Sequence, residues 1–375
     1  MFQLTPRDMV WSFGIRLKKS SGSSAENIMS DSPSLDRIKH HPIIEPTFGY
    51  TASRDLPYKP RVSEVLHEWL DSMNAIKYPT RSLIVLNFSF HFMTAIVFVF
   101  FMLQRPPLDS LIFMLASVCA LGTIYNTVWY HRYCSHAAFR FRKDSYAKLF
   151  LWSNPILFRE ECYAIPHLIH HQRTEKPGDP YGPHLGWLGN YLATESAQKT
   201  NPSLTKQEYE VLVASIAHIS LRTNSHAKFI RTGSIEKVNY YLTRICFAQL
   251  AWAAVAFAIG GIPHLLAWFS AIFFISFLIR DFNWTGHGGN FRQVKRKGWE
   301  FDNKSYALNQ CFYGYLASEW HDNHHKYPFS ANNGFLPGQF DLAFQIIKLM
   351  HRVGIVESYV DARPIFKKDY LSVSA

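Results

Sequence analysis

Nine histidines fall into patterns whose spacing suits metal binding. His131 and His136 lie in HRYCSH, His167, His170 and His171 in HLIHH, and His321, His324 and His325 in HDNHH, while His287 closes NWTGH. On a helix, residues three or four apart share a face, so the three imidazoles of each HxxHH converge on one point. The five-residue spacing of His131 and His136 is looser. Asn283 stands four residues before His287 and shares its face. Neutral imidazoles with almost no carboxylate or thiolate among them suit Fe, Zn, Cu or Ni and disfavour Mg or Ca. The number exceeds what one tetrahedral zinc needs, so two ions with four or five nitrogens each, and an open position for O2, use the set better. His40, His41, His67, His91, His184, His218, His226, His264 and His351 belong to no such pattern. His91 is expected to be hydrogen-bonded inside a helix bundle, and His184, in GPHLGW near the middle box, is a candidate outer partner of the ligands.

The histidines must be carried by elements that bring them together. Two apolar stretches, about 82–103 and about 108–130, are joined by Gln104-Arg105-Pro106-Pro107, and a second pair, about 241–259 and about 263–282, is joined by Gly260-Gly261-Ile262. The longer of these, at about 22 residues, suffice to cross a hydrocarbon core. Two tight hairpins put the N-terminus, the segment 131–240 and the tail after Phe282 on one side. All the histidines then meet at that face. Lys77, Arg81, Arg132, Arg140, Arg142, Lys143, Arg231, Lys237, Arg292, Lys295, Arg296 and Lys297 flank the spans there, against Arg105 alone at the opposite turns. By the positive-inside rule that face, with both termini, is expected to be cytoplasmic. The net charge of +11 is explained without nucleic acid. A soluble helical protein with buried hairpins is the alternative, and paired stretches of this length without acidic interruption argue against it.

Residues 1–60 form a polar arm rich in Ser, Pro and charge, expected to be flexible, ahead of a membrane domain over 61–375. The five cysteines (Cys119, Cys134, Cys162, Cys246 and Cys311) show no CxxC spacing, which suggests neither a disulfide framework nor a thiolate site.

HRYCSH, HLIHH, NWTGH and HDNHH, in this order around two hairpins, resemble the membrane fatty acid desaturase family, above all its stearoyl-CoA (Δ9) branch. The resemblance covers roughly residues 75 to 356. It implies an all-α integral membrane fold of four transmembrane helices in two hairpins, with a cytoplasmic helical cap (131–240 and 283–375) holding two irons. It also implies that the nine histidines bind those irons, that Asn283 acts through a bound water, and that O2 is the co-substrate for desaturation of a fatty acyl chain. Pro337 to Val356 looks like the closing amphipathic helix of such proteins. Asp322, Glu319, Asp179 and Glu175 are candidate carboxylates behind the ligands, and Trp129, Tyr130, Trp152, Trp187 and Trp284 are candidate walls of an acyl tunnel.

Electrons must come from a separate ferredoxin, rubredoxin or cytochrome b5-type donor, because no HPGG haem motif, CxxC knuckle or GxGxxG fingerprint is found. The basic stretch from Arg292 to Lys297 is a candidate dock for an acidic carrier. Arg280-Asp281 is either a charge pair at the membrane surface or, through Arg280, a contact for a substrate carboxylate. The second option would suit terminal-alkene-forming decarboxylation, which with hydroxylation is the alternative chemistry on this scaffold. A membrane metal transporter or sensor is the remaining class. It fits poorly, because transport sites lie near the midplane of broken helices and these histidines lie at span ends.

Overall fold

The computed structural model describes residues 60–371 apart from 177, 193–198, 290–297, 300, 302–306 and 310–319, together with 35, 38 and 43–45. Most of the expected N-terminal arm, the basic stretch 292–297, Glu319 and Cys311 lie outside the described residues. The chain is mostly helical.

Helix α1 (Val62–Ser72) leads to α2 (Ser82–Leu103), and α3 (Leu108–Ala120) runs on into a π-helical segment, Leu121–Ser135. The long helix α9 spans Val238–Thr285. Three helical stretches, Pro79–Leu103, Leu108–Ser135 and Val238–Thr285, are long and apolar enough to cross a membrane. Ile96, Val99, Phe100, Leu103, Leu108, Ile112 and Leu115 leave an apolar belt uncovered, continued on α9 by Phe247, Leu250, Phe257 and Ile259. A belt of this size in water would be a binding or aggregation surface, whereas in lipid it is the expected exterior.

The 48 residues of α9 are not one straight rod. Trp252 and Trp268 would be about 24 Å apart along a straight helix. Their rings instead stack with centroids 5.4 Å apart. The helix folds back at Gly260 and Gly261, whose backbone is non-helical, and Gly261 has φ +63°, a conformation natural to glycine. Gly260 is crowded as well, since a Cβ there would fall 2.0 Å from Nδ1 of His264. Helices α2 and α3 both pack on α9.

Between the π-helical segment and α9 lie β1 (Phe139–Phe141), α4 (Asp144–Ser153), α5 (Glu160–Arg173), α6 (Gly186–Leu192), α7 (Lys206–Ser215) and α8 (His226–Thr232). After α9 come α10 (His321–Lys326), α11 (Leu342–Arg352), β2 (Val356–Tyr359) and α12 (Arg363–Phe366). Among the described residues, the expected all-helical fold carries a small two-stranded ribbon as well. β1 pairs antiparallel with β2, with Phe139 opposite Tyr359 and Arg140 opposite Ser358. This ribbon ties the chain just after His136 to the tail.

Two buried, ion-paired arginines help to fix the same end. Arg132 pairs with Asp341 at 2.8 Å, both side chains about 1% exposed. Arg132 was expected among the cations facing the membrane surface; it points inward instead, toward the carboxylate that also caps α11 by accepting from the Phe344 amide. Arg244, fully buried near the start of α9, is held between Glu236 at 2.9 Å and Glu160 at the start of α5. A charge at that depth is tolerated because it is paired on both sides.

Candidate metal centre

The π-helical segment resolves the loose spacing of the first box. Residues five apart are about 140° apart on an α-helix. A π-helix closes its hydrogen bonds over five residues, so His131 and a residue five further on return to nearly one face. His136 directly follows the segment. Side chains follow the same register, as Ser135 Oγ donates to the Tyr130 carbonyl and Thr127 Oγ1 to that of Gly122. At its end, Nε2 of His218 lies 2.9 Å from the Tyr133 carbonyl and 3.1 Å from that of Cys134.

Helix α5 carries HLIHH with the first turn of the box buried, and α10 carries HDNHH. Backbone strain brackets these boxes. Ala137, Glu175 and Trp320, each next to or just beyond a box, have φ of +46°, +57° and +56°. Left-handed non-glycine residues persist where the surroundings over-determine them, commonly at functional sites.

All nine histidines meet. Ligand atoms of His131, His136, His167, His171 and His324 lie within 4.8 Å of one another, as do those of His170, His287 and His325. His321 joins the second set, its Nε2 3.1 Å from Nε2 of both His287 and His325. The first set is linked through Nε2 pairs: His131–His324 at 3.0 Å, His136–His167 at 3.0 Å, His167–His171 at 3.1 Å and His171–His324 at 2.9 Å. The sets adjoin, with the rings of His171 and His325 stacked at 4.4 Å.

These distances test what the centre holds. Nδ1 of His170 donates to Asp179 Oδ1 at 2.8 Å and Nδ1 of His287 to Glu175 Oε1 at 3.0 Å. With Nδ1 protonated, each Nε2 presents a lone pair, yet the two Nε2 atoms face each other at 3.1 Å. Facing lone pairs repel unless a cation lies between them. Two nitrogens each about 2.1 Å from one ion are about 3.0 Å apart at a right angle and about 3.4 Å apart at the tetrahedral angle. The observed 2.9–3.1 Å is the spacing of nitrogens that can share one ion. Burial reinforces this by lowering the imidazoles of His136 to about 3 and of His170 to about 4, so both stay neutral and able to ligate.

The partners behind the ligands come from the loop after α5. Asp179 is fully buried, accepts from the amides of Glu175 and Tyr181, and burial pushes its carboxyl up to about 7. Tyr181 lies with its hydroxyl 2.9 Å from Nδ1 of His167 and its ring on His170 at 4.6 Å. His184 sits beside Asp179; a Cβ on Gly182 would meet His184 Nδ1 at 3.1 Å and Asp179 Oδ2 at 3.2 Å. Asp322 is buried in α10, next to His321.

A cavity faces both sets. Asn126, Tyr163, Tyr181, Ile279, Phe282 and Asn283 line it together with His131, His167, His170, His287 and His321. Asn126, Tyr163 and Tyr181 were not singled out from the sequence. Tyr163 could have been, since it precedes His167 by one α-turn. None of Trp129, Tyr130, Trp152, Trp187 and Trp284 lines the cavity. Trp129 stacks on Tyr133 and Phe150, Tyr130 on Tyr163, Trp152 donates to Tyr240, and Trp187 donates to Asp281. Arg280 is fully buried but turned elsewhere. It donates to the Tyr191 carbonyl and to Asn87 Oδ1, both at 3.0 Å, with Phe88 4.6 Å from its guanidinium. Asp281 accepts from Trp187. His91 is hydrogen-bonded inside the bundle through Nε2 to Tyr191, while its Nδ1 finds no hydrogen-bond partner among the described residues.

Comparison with known proteins points the same way. A palmitoyl-monogalactosyldiacylglycerol delta-7 desaturase of the Arabidopsis thaliana chloroplast is 22% identical over 254 residues, 62% of this chain and 57% of that protein. An acyl-CoA 5-desaturase of Anemone leveillei is 25% identical over 261 residues, 64% of this chain and 68% of that one. A hex-5-enoyl-[acyl-carrier protein] acetylenase of Moorena producens is 23% identical over 288 residues, 67% of this chain and 77% of that one. The profile of the fatty acid desaturase family matches residues 108–334, more than half of the chain and the stretch that carries all nine histidines. The chain belongs to the fatty acid desaturase family.

Proposed function

We propose that the protein is an O2-dependent oxidoreductase that introduces a double bond into a fatty acyl chain, using two irons held by the nine histidines. The observation that carries this reading is the confrontation of imidazole nitrogens around two points, one with five ligands and one with four. When bound, the irons supply the oxidising power, with O2, to remove hydrogen from an unactivated carbon, which no side chain can do.

The chain's own residues do the rest. His131, His136, His167, His171 and His324 would hold one ion, and His170, His287, His321 and His325 the other. Asn283 faces the cavity beside the second set and would hold a water there. Asp179 and Glu175 fix the rings of His170 and His287 and make them more basic ligands. Ile279 and Phe282 give the cavity an apolar wall on the α9 side, suited to a methylene chain. The π-helical segment supplies the opposite wall.

The two arms of α9, with α2 and α3, make four membrane crossings, and the histidine end faces the cytoplasm with both termini. Lys77, Arg81, Arg140, Arg142, Lys143, Arg231 and Lys237 on that end, against Arg105 at the opposite turn, support this sidedness. Residues 61–375 form the membrane domain, and 1–60 an arm. Electrons arrive from a separate ferredoxin, rubredoxin or cytochrome b5-type carrier. Decarboxylation of a free acid gains no support, because Arg280 directs donors to Tyr191 and Asn87 and is absent from the cavity wall.

Two measurements test the reading. The purified protein should contain two irons per chain. Expressed in a host, it should create an internal double bond in membrane fatty acids by mass spectrometry. A metal-free protein, or a volatile 1-alkene one carbon shorter than its precursor, would overturn it.

A further inference from the structure

The buried charges that join the start of α5 to the start of α9 do not balance. Glu160 and Glu161 open α5, Glu236 lies two residues before α9, and each of the three side chains is at most 1% exposed. Against these three carboxylates stand, among the described residues, the two guanidiniums of Arg159 and Arg244. Arg244 binds Glu236 through Nε at 3.1 Å and Nη2 at 2.9 Å, and Glu160 through Nη1 at 3.3 Å and through Nη2. Glu160 Oε1 also accepts from Trp129 Nε1 at 3.3 Å and from Asn154 Nδ2 at 3.1 Å. Arg159 is left for Glu161, at 3.1 Å, and its Nη1 donates to Ser234 Oγ as well.

Glu161 is the least satisfied of the three. Its Oε1 is shared by Arg159, Ser234 Oγ and the Glu236 amide, the last at 3.4 Å. Its Oε2 is buried and finds no hydrogen-bond partner among the described residues. With every group ionised, the junction would carry one negative charge in excess, out of reach of water. An uncompensated buried charge is costly, and a carboxylate so placed takes up a proton instead. Burial pushes the Glu236 carboxyl up to about 8, with Arg244 opposing the rise and Glu161 and Glu160 adding to it. Interacting carboxylates titrate together, so such a proton belongs to the junction rather than to one side chain. The other titratable groups around it are the Cys162 thiol on α5 and the phenols of Tyr130, Tyr209 and Tyr241, from the π-helical segment, α7 and α9. Burial pushes the thiol and the Tyr209 phenol up to about 12, so neither competes near neutrality.

We propose that this junction is a pH-sensitive clamp: one proton held among Glu161 and Glu236 completes its charge balance, and release of that proton to solvent loosens the start of α5 from the start of α9. Helix α5 carries His167, His170 and His171 further along, so the clamp bears on where that box stands. The proposal does not depend on which ions the histidines hold. In the unfolded chain these carboxyls are ionised throughout the neutral range. The folded protein alone holds the proton, so stability falls as pH rises toward about 8 and levels off above it.

The test uses full-length protein in maltoside micelles, which have no carbonyl of their own. Glu236→Gln leaves each arginine one carboxylate, and Glu161→Gln removes the oxygen that lacks a partner. From about pH 6.5 to about pH 8.5 the Tm of either variant should gain several degrees relative to wild type. Glu357→Gln, at the exposed pair with Arg140, should keep a constant difference from wild type. Infrared spectra of wild type should show a carboxylic-acid C=O band, shifted by D2O, that titrates away near pH 8 and is missing from Glu236→Gln. A Tm difference that stays constant with pH in both glutamine variants of the junction would overturn the proposal. Absence of the infrared band from wild type would overturn it equally, whether or not the variants fold.

Discussion

The two halves of the centre are built from the same side chain and differ in what stands behind it. The five-histidine half draws on the π-helical segment, His136 just beyond it, α5 and α10. Behind it Tyr181 meets His167, and Nδ1 of buried His131 finds no hydrogen-bond partner among the described residues. The four-histidine half draws on α5, the turn after α9, and α10, and has Asp179 behind His170 and Glu175 behind His287. On the proposed reading, one half would rely on the number of its ligands and the other on the basicity of His170 and His287, while Nδ1 of His321 in that half finds no hydrogen-bond partner among the described residues. Carboxylates behind imidazoles push electron density toward the metal and favour a higher positive charge on it. On the two-iron reading proposed above, the difference would make two ions inequivalent without any change of ligand type.

The strongest way to break the comparison is to remove a ligand from each half in turn. His324→Ala and His325→Ala are each expected to leave one iron per chain and to lower turnover about 100-fold or more, beyond what loss of an outer partner costs. Iron analysis beside a desaturation assay checks this; retention of two tightly held irons would end the assignment of ligands. Asp179→Asn should weaken one of the two irons about 10- to 100-fold and leave the other nearly untouched. Competition with a graded series of chelators reads it as a split of one release step into two. Glu175→Gln should act on the same ion by about tenfold, less than Asp179, because Glu175 is slightly exposed and Asp179 is not. Equal weakening of both irons in either variant would count against an asymmetric centre. The smallest effect belongs to the other half. Tyr181→Phe keeps the ring stacked on His170 and removes the hydroxyl beside His167, so the five-histidine ion should loosen by about threefold.

Much of this was legible in the sequence because it follows from local spacing. The i, i+3, i+4 pattern of HLIHH and HDNHH implies by helical geometry alone that each box gathers its imidazoles at one side of a helix. The expected convergence of each box on one point does not hold: His167 and His171 part from His170, and His321 and His325 from His324. The two hairpins follow from apolar length and from Pro and Gly at the turns, and the stacked Trp252 and Trp268 match that reading. What stayed hidden depends on long-range structure or on departures from the α-helix. Nothing in LGTIYNTVWYHRYCS announces a π-helix, so Asn126 could not be placed beside His131. Arg132 reads as a surface cation until Asp341, far along the chain, is seen to meet it. Arg280 next to Asp281 reads as a pair, but backbone direction sends the two side chains to different partners. The β1–β2 ribbon is invisible for the same reason: each strand is short and its partner is remote.

That ribbon has a consequence for the order in which the protein is made. His131 leaves the ribosome 193 residues before His324, its neighbour in the finished centre. The strand after His136 waits still longer for Val356–Tyr359. Until the tail arrives, the first box has neither its third-box neighbour nor its strand partner. On the two-iron reading proposed above, metal loading would be a late event in biogenesis. If ions bind only the assembled state, iron supply would set the fraction of newly made chains that survive membrane quality control.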